Sequence, residues 1–257
     1  MPEISTDLVR VTLDHLDKSF PGTGLVLDGV SLDVAPGEFV AIVGPSGCGK
    51  STLFTVLGGL EPPDNGRVLV DGRDATGETE PFAYMPQQDL LFPWRTVLDN
   101  TALGLEVAGV SRAQARQRAG ELFAPFGLAG FERARPRELS GGMRQRAALL
   151  RTVVQERPVL LLDEPFGALD SLTRADMQAW LEGVRATFDR SIVMITHDLR
   201  EAVYLADRVV VLGPRPTRVV GEVVVDLARP RDHAIVTTTA FAALEERVLR
   251  ILQEGHS

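Results

Sequence analysis

The feature that most constrains this chain is a glycine-rich loop, GPSGCGKST at residues 44–52, which lies between two segments of different character. The segment before it, EFVAIVG, is a compact apolar run that ends in glycine, which is typical of a buried strand. The segment after it, KSTLFTVLGGL, predicts a helix. The loop fits the pattern G-x-x-x-x-G-K-[ST] in the strand–loop–helix context that the pattern requires. The sequence therefore predicts a phosphate-binding loop at the start of a parallel α/β unit.

Each part of this phosphate loop has a chemical reason to bind phosphate. Its glycines let backbone N–H groups face inward as an anion nest, and the following helix adds the positive end of its dipole. Lys50 supplies a point charge for the β- and γ-phosphates, and the Ser51 hydroxyl can ligate Mg²⁺. Cys48 is expected to contribute through its backbone rather than its thiol. The predicted nucleotide-binding residues of the loop are Gly44, Pro45, Ser46, Gly47, Cys48, Gly49, Lys50, Ser51 and Thr52.

A second motif, VLLLDEP at residues 159–165, joins an apolar run to two acids. A strand that points Asp163 and Glu164 out of its carboxyl end places them where α/β sheets bind ligands. Asp163 would then hold Mg²⁺ through water, and Glu164 would be the general base for the attacking water or would orient it. Two acids at a strand end can also be simple solvated polar residues. Beside a phosphate loop, they favour a site for nucleotide hydrolysis.

The segment LSGGMRQRAALL contains a second candidate anion site. Ser140, Gly141 and Gly142 open a helix, so free N–H groups, a hydroxyl and a helix dipole face one way. One nucleotide does not need two such cradles at opposite ends of one chain. A head-to-tail two-fold dimer does need them, because each chain then offers its second cradle to the other's γ-phosphate. Taken alone, the motif is also consistent with an ordinary Gly-capped helix start.

The rest of the chain predicts a helical block inserted into an α/β core. LVRVTLDHL and LVLDGVSLDV alternate apolar with polar residues, as half-buried antiparallel strands do. Further strands are predicted at PVLLLDEP, SIVMITHD and RVVVLG. Helices are predicted at DNTALGLEVAGV, SRAQARQRAGELFAPFGL, GGMRQRAALLRTVVQE and LTRADMQAWLEGVRATF. The amphipathic tail segment FAALEERVLRILQ is expected to pack back on the body.

Charge and composition limit the partners. The net charge of −8 argues against a nucleic-acid-binding protein, which usually presents a basic face. Cys48 is the one cysteine, so no internal disulfide can form and a reducing compartment fits. No stretch approaches the roughly 20 apolar residues that span a bilayer, and the N-terminal residues do not resemble a secretory signal. We therefore expect a cytoplasmic protein whose membrane contact is made through another protein.

Six motifs occur in one order along nearly the whole chain: GPSGCGKST, PQQD, LSGGM, LLLDEP, ALD and THD. This set resembles the nucleotide-binding subunit of an ATP-binding cassette (ABC) transporter. The resemblance implies an α/β fold, a P-loop NTPase (RecA-like) core with an antiparallel β-subdomain and an inserted α-helical signature subdomain. It places the ATPase domain at 1–225, with core and β-subdomain at 1–90 and 156–225, the helical signature subdomain at 91–155, and a C-terminal helical extension at 226–257.

The sequence departs from the family pattern at two places. Met143 stands where the family's LSGGQ has glutamine, but the phosphate contacts of that motif lie with Ser140 and Gly142. LLRTVV at residues 149–154 stands where relatives tend to have ARAL. This segment lies well into the helix, so we expect the second departure to change packing rather than chemistry.

The resemblance implies roles for residues outside the phosphate loop. Gln87 matches the Q-loop glutamine, which reaches Mg²⁺ and the attacking water, although the neighbouring Gln88 is an alternative that only spacing disfavours. Asp170 corresponds to the D-loop aspartate, which couples the two sites across the dimer. His197 corresponds to the switch histidine, which hydrogen-bonds the γ-phosphate and orients the catalytic geometry with Glu164.

Together these interpretations give a predicted site. Phe20 fits the aromatic that stacks on adenine, although the family commonly has Tyr there and a core Phe would look the same. The predicted catalytic residues are Glu164, His197, Gln87 and Lys50. The predicted metal ligands are Ser51, Gln87 and Asp163, and the predicted cofactors are ATP and Mg²⁺.

The segment YMPQQDLLFPWRT at residues 84–96 joins the Q-loop glutamine to an apolar run. Clustered apolar side chains beside a mobile loop are typical of a partner surface, and in the family this region receives a coupling helix from the membrane subunit. The alternative is that Phe92 and Trp94 cap the core of the helical subdomain, or that one ring does so while the other remains exposed.

LLFPWRTVLDN, LSGGMRQR, DEPFGALDSLTR and THDLREAVYLADRVVVLG resemble the importers of the nitrate, sulfonate and taurine group, which also includes importers of thiamine-type pyrimidine precursors. The implied partners are a second copy of this chain, a transmembrane permease that holds this chain at the cytoplasmic face of the membrane and, indirectly, a solute-binding protein. An exporter cassette remains an alternative.

A soluble cassette of DNA repair or translation would usually carry a coiled-coil insertion or a second fused cassette. A P-loop kinase or GTPase-like switch would lack LSGG followed by LLLDEP, and the chain has no NKxD.

Overall fold

The computed structural model describes residues 9–167, 169–185 and 190–255. Its strands are β1 (Val11–Phe20), β2 (Gly24–Val34), β3 (Phe39–Val43), β4 (Asn65–Val70), β5 (Arg73–Asp74), β6 (Phe82–Met85), β7 (Val159–Asp163), β8 (Ser191–Ile195), β9 (Arg208–Leu212) and β10 (Val219–Val224). Its α-helices are α1 (Lys50–Leu57), α2 (Val97–Thr101), α3 (Leu103–Val107), α4 (Arg112–Glu121), α5 (Gly141–Val153), α6 (Ser171–Arg185), α7 (Leu199–Leu205) and α8 (Thr239–Glu254). Short 3₁₀ turns occur at Pro136–Glu138 and His233–Thr237.

The strands form one antiparallel and one mainly parallel sheet. The four-stranded sheet has the order β2-β1-β4-β5, and the predicted β1–β2 pair is antiparallel as expected. The six-stranded sheet has the order β10-β9-β3-β8-β7-β6; its strands are parallel except for β10, which is antiparallel to β9. Residues of β3, β7 and β8 are buried throughout, as their apolar runs predict.

The order of the parallel strands determines where the site can form. Strand β8 lies between β3 and β7, so the carboxyl ends of these three strands adjoin at one edge. The phosphate loop follows β3, the acids of LLLDEP end β7, and the THD motif follows β8. Three motifs that are far apart in sequence therefore meet at the edge where α/β sheets bind ligands.

Helices α2 to α5 lie between β6 and β7, which are neighbours in the sheet. Their buried faces share one apolar cluster with the strands; Val97, Phe123 and Leu150 belong to this cluster. The predicted single helix DNTALGLEVAGV is wrong in detail, because the chain forms α2 and α3 with Ala102 between them. The fully buried Asn100 of α2 ties this helix to the segment before it, since its Nδ2 donates to Phe92 O at 3.1 Å and to Thr96 O at 2.9 Å.

The C-terminal segment packs against the body, as the sequence predicts. Helix α8 contacts α7, β9 and β10, and its Phe241 and Val248 are fully buried. The helix predicted at LTRADMQAWLEGVRATF is seen as α6, while residues 186–188 of that prediction lie outside the described residues, as do Ala168 of the ALD motif and residues 1–8 and 256–257. In the part of the chain that is described, no helix has the length and apolar character needed to cross a bilayer.

Candidate active site

The phosphate loop has the backbone conformation that its glycines allow. Gly47 and Gly49 have φ values of +72° and +127°, a region that side chains with a Cβ rarely adopt. The Lys50 ammonium donates to the carbonyl oxygens of Gly44 and Pro45, both at 2.8 Å. The lysine therefore lies along the loop at the start of α1, with its charge held beside the nest. Cys48 is buried, which agrees with a backbone rather than a thiol role.

The end of β7 supplies a buried carboxylate next to the loop. Asp163 interacts with the Ser51 hydroxyl, and the Tyr84 hydroxyl donates to Asp163 Oδ2 at 3.5 Å. Burial raises the pKa of Asp163 above its ordinary value and the nearby Glu164 adds to the rise, while the bonds from Ser51 and Tyr84 and the Lys50 charge oppose it. Burial and the Asp163 charge also raise the pKa of Tyr84 to about 12, so its hydroxyl remains a donor.

This donor set fits Mg²⁺. A buried carboxylate facing a hydroxyl provides the hard oxygen ligands that Mg²⁺ prefers, and Mg²⁺ commonly takes one or two protein ligands and completes its shell with phosphate and water. Within residues 9–167, 169–185 and 190–255, no group of three or more His, Cys, Asp or Glu side chains could hold a metal ion without such help. The arrangement therefore suits an ion that arrives with a nucleotide.

Glu164 lies at the centre of a three-residue contact. Gln87 Nε2 donates to Glu164 Oε2 at 2.8 Å, and His197 Nδ1 lies 3.3 Å from Glu164 Oε1. Of the two glutamines in PQQD, the structure brings Gln87 to Glu164. Glu164 itself has a φ of +47°, a left-handed conformation that costs a non-glycine residue about 1–3 kcal/mol.

The strained conformation of Glu164 is held by backbone bonds. Its N–H donates to Ile195 O at 2.9 Å, and its carbonyl accepts from Gly167 N at 3.1 Å. Glu164 and His197 also line a small pocket of about 20 Å³, which has room for about one water molecule. A carboxylate and an imidazole thus adjoin a space suited to positioning water at the edge of the sheet.

The signature segment, residues 140–142, forms the N-terminus of α5. Ser140 is the N-cap, and its Oγ accepts from Met143 N at 3.2 Å. Ser140 and Gly141 are exposed, and a Cβ on Gly141 would have only Arg144 Nη2 nearby, at 3.9 Å. Gly142 faces the start of α6, because a Cβ there would lie 3.1 Å from Thr173 Cγ2. The second cradle is therefore open to solvent on its outer side.

Helix α5 is tied to both sides of the catalytic cluster. Gln145 Nε2 donates to Pro165 O at 2.8 Å, which joins the helix to the end of β7. Arg144 Nε donates to Asp89 Oδ2 at 3.0 Å, and Arg151 donates to Asp89 O at 2.7 Å. Asp89 lies two residues after Gln87, so these bonds join the Gln87 loop to the signature helix.

Two predicted residues lie away from the Glu164 cluster. Asp170 is exposed at the start of α6, where its Oδ1 accepts from Thr173 N at 3.0 Å; hydrogen bonds to Thr173 lower the pKa of Asp170. Phe20 ends β1 opposite Gly24, and its half-buried ring lies 5.3 Å from Lys18 Nζ. The ring packs against the core cluster of the antiparallel sheet, so it is partly core and partly accessible.

The apolar run after Gln87 is divided between core and surface. Leu91 is buried in the core, whereas Phe92 and Trp94 are 37% and 66% exposed. Their rings stack on each other with centroids 5.1 Å apart. Trp94 therefore lies mainly on the surface, whereas Phe92 is partly covered, which is nearest to the alternative of one ring packed and the other exposed. The pair forms an exposed apolar patch near the Gln87 loop.

Some contacts of the site were missed from the sequence. Tyr84 belongs to a strand end that precedes Gln87, and its position was a usable signal, because residues at the carboxyl end of a strand reach the ligand edge. Arg215 and Thr217 contact the phosphate loop from the connection between β9 and β10. They lie 168 and 169 residues from their partners, so no local pattern indicates them.

Comparisons with known proteins agree with the fold of the chain. A family model described as ABC transporter matches residues 27–167. The aliphatic sulfonates import ATP-binding protein SsuB of Ralstonia nicotianae is 48% identical over 229 residues, covering 89% of this chain and 77% of that protein. The taurine import ATP-binding protein TauB of Burkholderia pseudomallei is 44% identical over 212 residues, 82% of each chain. A dimeric, post-hydrolysis structure of the cassette MJ0796 bound to ADP and Pi matches with a TM-score of 0.75 and 30% identity, covering 85% of this chain and all of that one.

Proposed function

This chain belongs to the ABC transporter family, and we propose that it is the ATP-hydrolysing subunit of a binding-protein-dependent importer. The observation that carries the proposal is the contact of Gln87, Glu164 and His197 at the sheet edge that also holds the phosphate loop. ATP hydrolysis requires a site that binds the phosphates and a group that activates or orients water, and both are present at this edge.

The phosphate loop binds the triphosphate in this proposal. Its backbone N–H groups and the N-terminus of α1 face the phosphates, and Lys50 exchanges its carbonyl partners for the β- and γ-phosphate oxygens. Phe20 stacks on the adenine ring. Mg²⁺, when bound with ATP, would be held by Ser51, Asp163 and Gln87 and would neutralise part of the phosphate charge.

Hydrolysis is assigned to the Glu164 cluster. Glu164 accepts a proton from the attacking water or orients that water, and its strained backbone keeps the carboxylate aimed out of the sheet edge. His197 hydrogen-bonds the γ-phosphate and lies beside Glu164 Oε1, while Gln87 donates to Glu164 Oε2. The two side chains together orient the carboxylate. The products are ADP and inorganic phosphate.

Two copies of this chain form the complete enzyme. Residues 140–142 are solvent-exposed on their outer side, and the similar cassette MJ0796 is described as a dimer. In a head-to-tail dimer, Ser140, Gly141 and Gly142 of each copy complete the pocket around the ATP held by the other, and Asp170 couples the two pockets. Residues 91–155 move as the helical signature subdomain relative to residues 1–90 and 156–225, and residues 226–257 form an extension.

Transport requires two partners, of which this chain contacts one directly. The exposed Phe92–Trp94 patch near the Gln87 loop is the proposed docking surface for a transmembrane permease at the cytoplasmic face of the membrane. A solute-binding protein delivers solute to the permease from the other side. The relatives named for sulfonates and taurine favour a small anion of the nitrate, sulfonate or taurine type, with a thiamine-precursor-like molecule as the other candidate.

The glutamate role is tested with Glu164→Gln. Glutamine is nearly isosteric with glutamate and can still accept the hydrogen bond from Gln87, but it cannot act as a base. We therefore expect ATP binding to be unchanged and the rate of hydrolysis to fall by about 10²–10⁴-fold. A dimer that persists with ATP in sedimentation measurements should accompany the loss. Glu246→Gln on α8 is the matched control, since that carboxylate makes only an exposed pair with Arg250. Hydrolysis that survives Glu164→Gln at the wild-type rate contradicts the proposal.

The importer role is tested by reconstitution. The chain is assembled with its permease in lipid vesicles, with the binding protein and one solute supplied outside: taurine, an aliphatic sulfonate, nitrate or a thiamine precursor. We expect one of these solutes to stimulate ATP hydrolysis and to accumulate inside the vesicles. Export of solute from loaded vesicles, without dependence on a binding protein, would show an exporter instead.

A further inference from the structure

The outer side of the phosphate loop is held by the connection between β9 and β10. Thr217 is fully buried, and its hydroxyl donates to the carbonyl oxygen of Cys48. Arg215 Nη2 donates to the carbonyl oxygen of Gly47 at 3.0 Å. Two consecutive carbonyl groups of the loop are therefore bound by side chains from a distant segment. We call residues 215–217 the strap.

The strap is itself fixed to the antiparallel sheet. The Thr217 N–H donates to Val26 O at 2.8 Å, and the Asp28 N–H donates to Thr217 O at 3.0 Å. Both backbone groups of Thr217 are thus used on β2, while its side chain is used on the phosphate loop. Thr217 joins the sheet that carries the β1–β2 hairpin, and with it Phe20, to the phosphate loop.

Packing at Gly49 shows how tightly this junction fits. A Cβ on Gly49 would lie 2.8 Å from Val26 Cγ1 and 3.3 Å from the Thr217 hydroxyl oxygen. The loop therefore rests directly on β2 and the strap, without space for a side chain between them. A shift of the Thr217 side chain changes the surface against which Gly49 packs.

The bond from Thr217 has a consequence for the inner side of the loop. In a planar trans peptide, the carbonyl and the following N–H point in opposite directions. Binding the Cys48 carbonyl on the outer side therefore turns the Gly49 N–H toward the inner side, where a phosphate would lie. The preceding N–H, that of Cys48, closes a turn to Pro45 O at 3.3 Å. The Thr217 bond therefore acts on the next peptide, and the group that it directs into the nest is the Gly49 N–H.

We propose that Thr217, with Arg215, is a positioning residue for nucleotide binding: Thr217 presets the Cys48–Gly49 peptide so that its N–H faces the phosphates, and Arg215 holds the preceding Gly47–Cys48 peptide. The proposal rests on the proposed role of residues 44–52 as the ATP site. Thr217 does not touch the nucleotide. It acts by reducing the reorganisation that the loop would otherwise undergo on binding.

Thr217→Val tests the proposal because it preserves shape and removes the hydroxyl. The buried Cys48 carbonyl then loses its partner, and we expect the dissociation constant for ATP to rise by roughly tenfold. Thr217→Ser restores a hydroxyl and should return the constant to within about twofold of wild type. Arg215→Ala removes an exposed partner and should raise it by about two- to threefold. Arg218→Ala is the matched control, since Arg218 lies in the same connection but pairs with Asp28 on the surface.

The measurements are titration with a fluorescent ATP analogue on folded protein and thermal unfolding of each variant. A strap that only stabilises the fold would lower the melting temperature of Thr217→Val without changing the dissociation constant of the folded fraction, and this outcome overturns the proposal. The proposal is also overturned if the dissociation constants of Arg215→Ala and Thr217→Val both equal that of the wild-type chain. If the wild-type chain itself binds no ATP analogue, the proposed function fails rather than the strap.

Discussion

The two anion cradles of this chain, residues 44–52 and residues 140–142, differ in what surrounds them. The phosphate loop is bonded from inside by Lys50 and from outside by the strap. The signature segment has a single side-chain cap, from Ser140, and faces solvent at Gly141. A loop that is bonded on both sides holds its amides in place for phosphate before the nucleotide binds. An exposed helix N-terminus has free N–H groups that bind an anion only when one is brought to it, for example on a second chain. The difference supports the proposal that residues 44–52 bind phosphate within one chain, whereas residues 140–142 do so only when a second copy docks.

The largest expected effect is at the braced cradle. Lys50→Ala removes the charge-assisted bonds to the phosphates, so we expect the dissociation constant for ATP to rise about a hundredfold in the isolated chain. Titration with a fluorescent ATP analogue measures the change, and Arg250→Ala, an exposed charge on α8, is the control. ATP affinity that survives Lys50→Ala would break the comparison, because the phosphate loop would then not be the principal binding cradle.

A pair of glycine substitutions sharpens the comparison. Gly49→Ala places a Cβ 2.8 Å from Val26 Cγ1 at a φ of +127°, so it should distort the loop and weaken ATP binding about tenfold. Gly141→Ala meets open space and suits a helix, so binding and melting temperature should stay at wild-type values. Hydrolysis should nevertheless fall about tenfold, because the added methyl group obstructs the approach of a partner's phosphate. Unchanged hydrolysis in Gly141→Ala would show that nothing docks there.

A smaller effect is expected where the signature helix is bonded to the Gln87 loop. Asp89→Ala breaks the pair with Arg144 that joins the Gln87 loop to the signature helix. The pair is partly exposed, and the Arg151 bonds to the backbone of residues 89 and 90 remain. We therefore expect a two- to threefold lower kcat with unchanged ATP affinity. Glu78→Ala, which breaks a surface pair with Arg73, provides the reference. A loss of affinity instead of kcat would mean that Asp89 supports the binding site itself.

The smallest effect on the isolated chain is expected at the exposed aromatic patch. Trp94→Glu changes a side chain that is 66% exposed, so basal hydrolysis and stability should remain near wild type, within about 0.5 kcal/mol for unfolding. Stimulation by the permease in vesicles should be lost, whereas Val224→Glu on β10, another exposed apolar residue, should keep it. Unfolding of Trp94→Glu would contradict the surface role.

The sequence predicted those parts of the site whose geometry is set locally. A strand, a glycine loop and a helix are consecutive, so the place of Lys50 at the sheet edge follows from the pattern alone. The acids after β7 and the histidine after β8 also follow, because the carboxyl ends of neighbouring parallel strands meet. The choice of Gln87 rested on spacing, and its contact with Glu164 became visible only in the structure.

The remaining features depend on tertiary contacts. The strap joins Thr217 to Cys48 and to β2, and nothing in the sequence around residue 217 indicates either partner. The bonds of the buried Asn100 amide to the turn at Phe92 also depend on the tertiary fold, and the sequence around residue 100 does not indicate them. The exposure of Phe92 and Trp94 was also undecided in the sequence, because an apolar run looks the same in a core and on a docking surface.

Mixing two inactive variants tests most directly whether the two cradles belong to one composite pocket. Ser140→Arg fills the open cradle and leaves the phosphate loop intact, while Lys50→Ala does the reverse. Each variant alone should be inactive, and an equimolar mixture should regain ATP hydrolysis, up to about a quarter of the wild-type rate, because half of the random dimers carry one intact pocket of two. A mixture that stays as inactive as its components, although the two chains are shown to dimerise, would contradict the shared pocket.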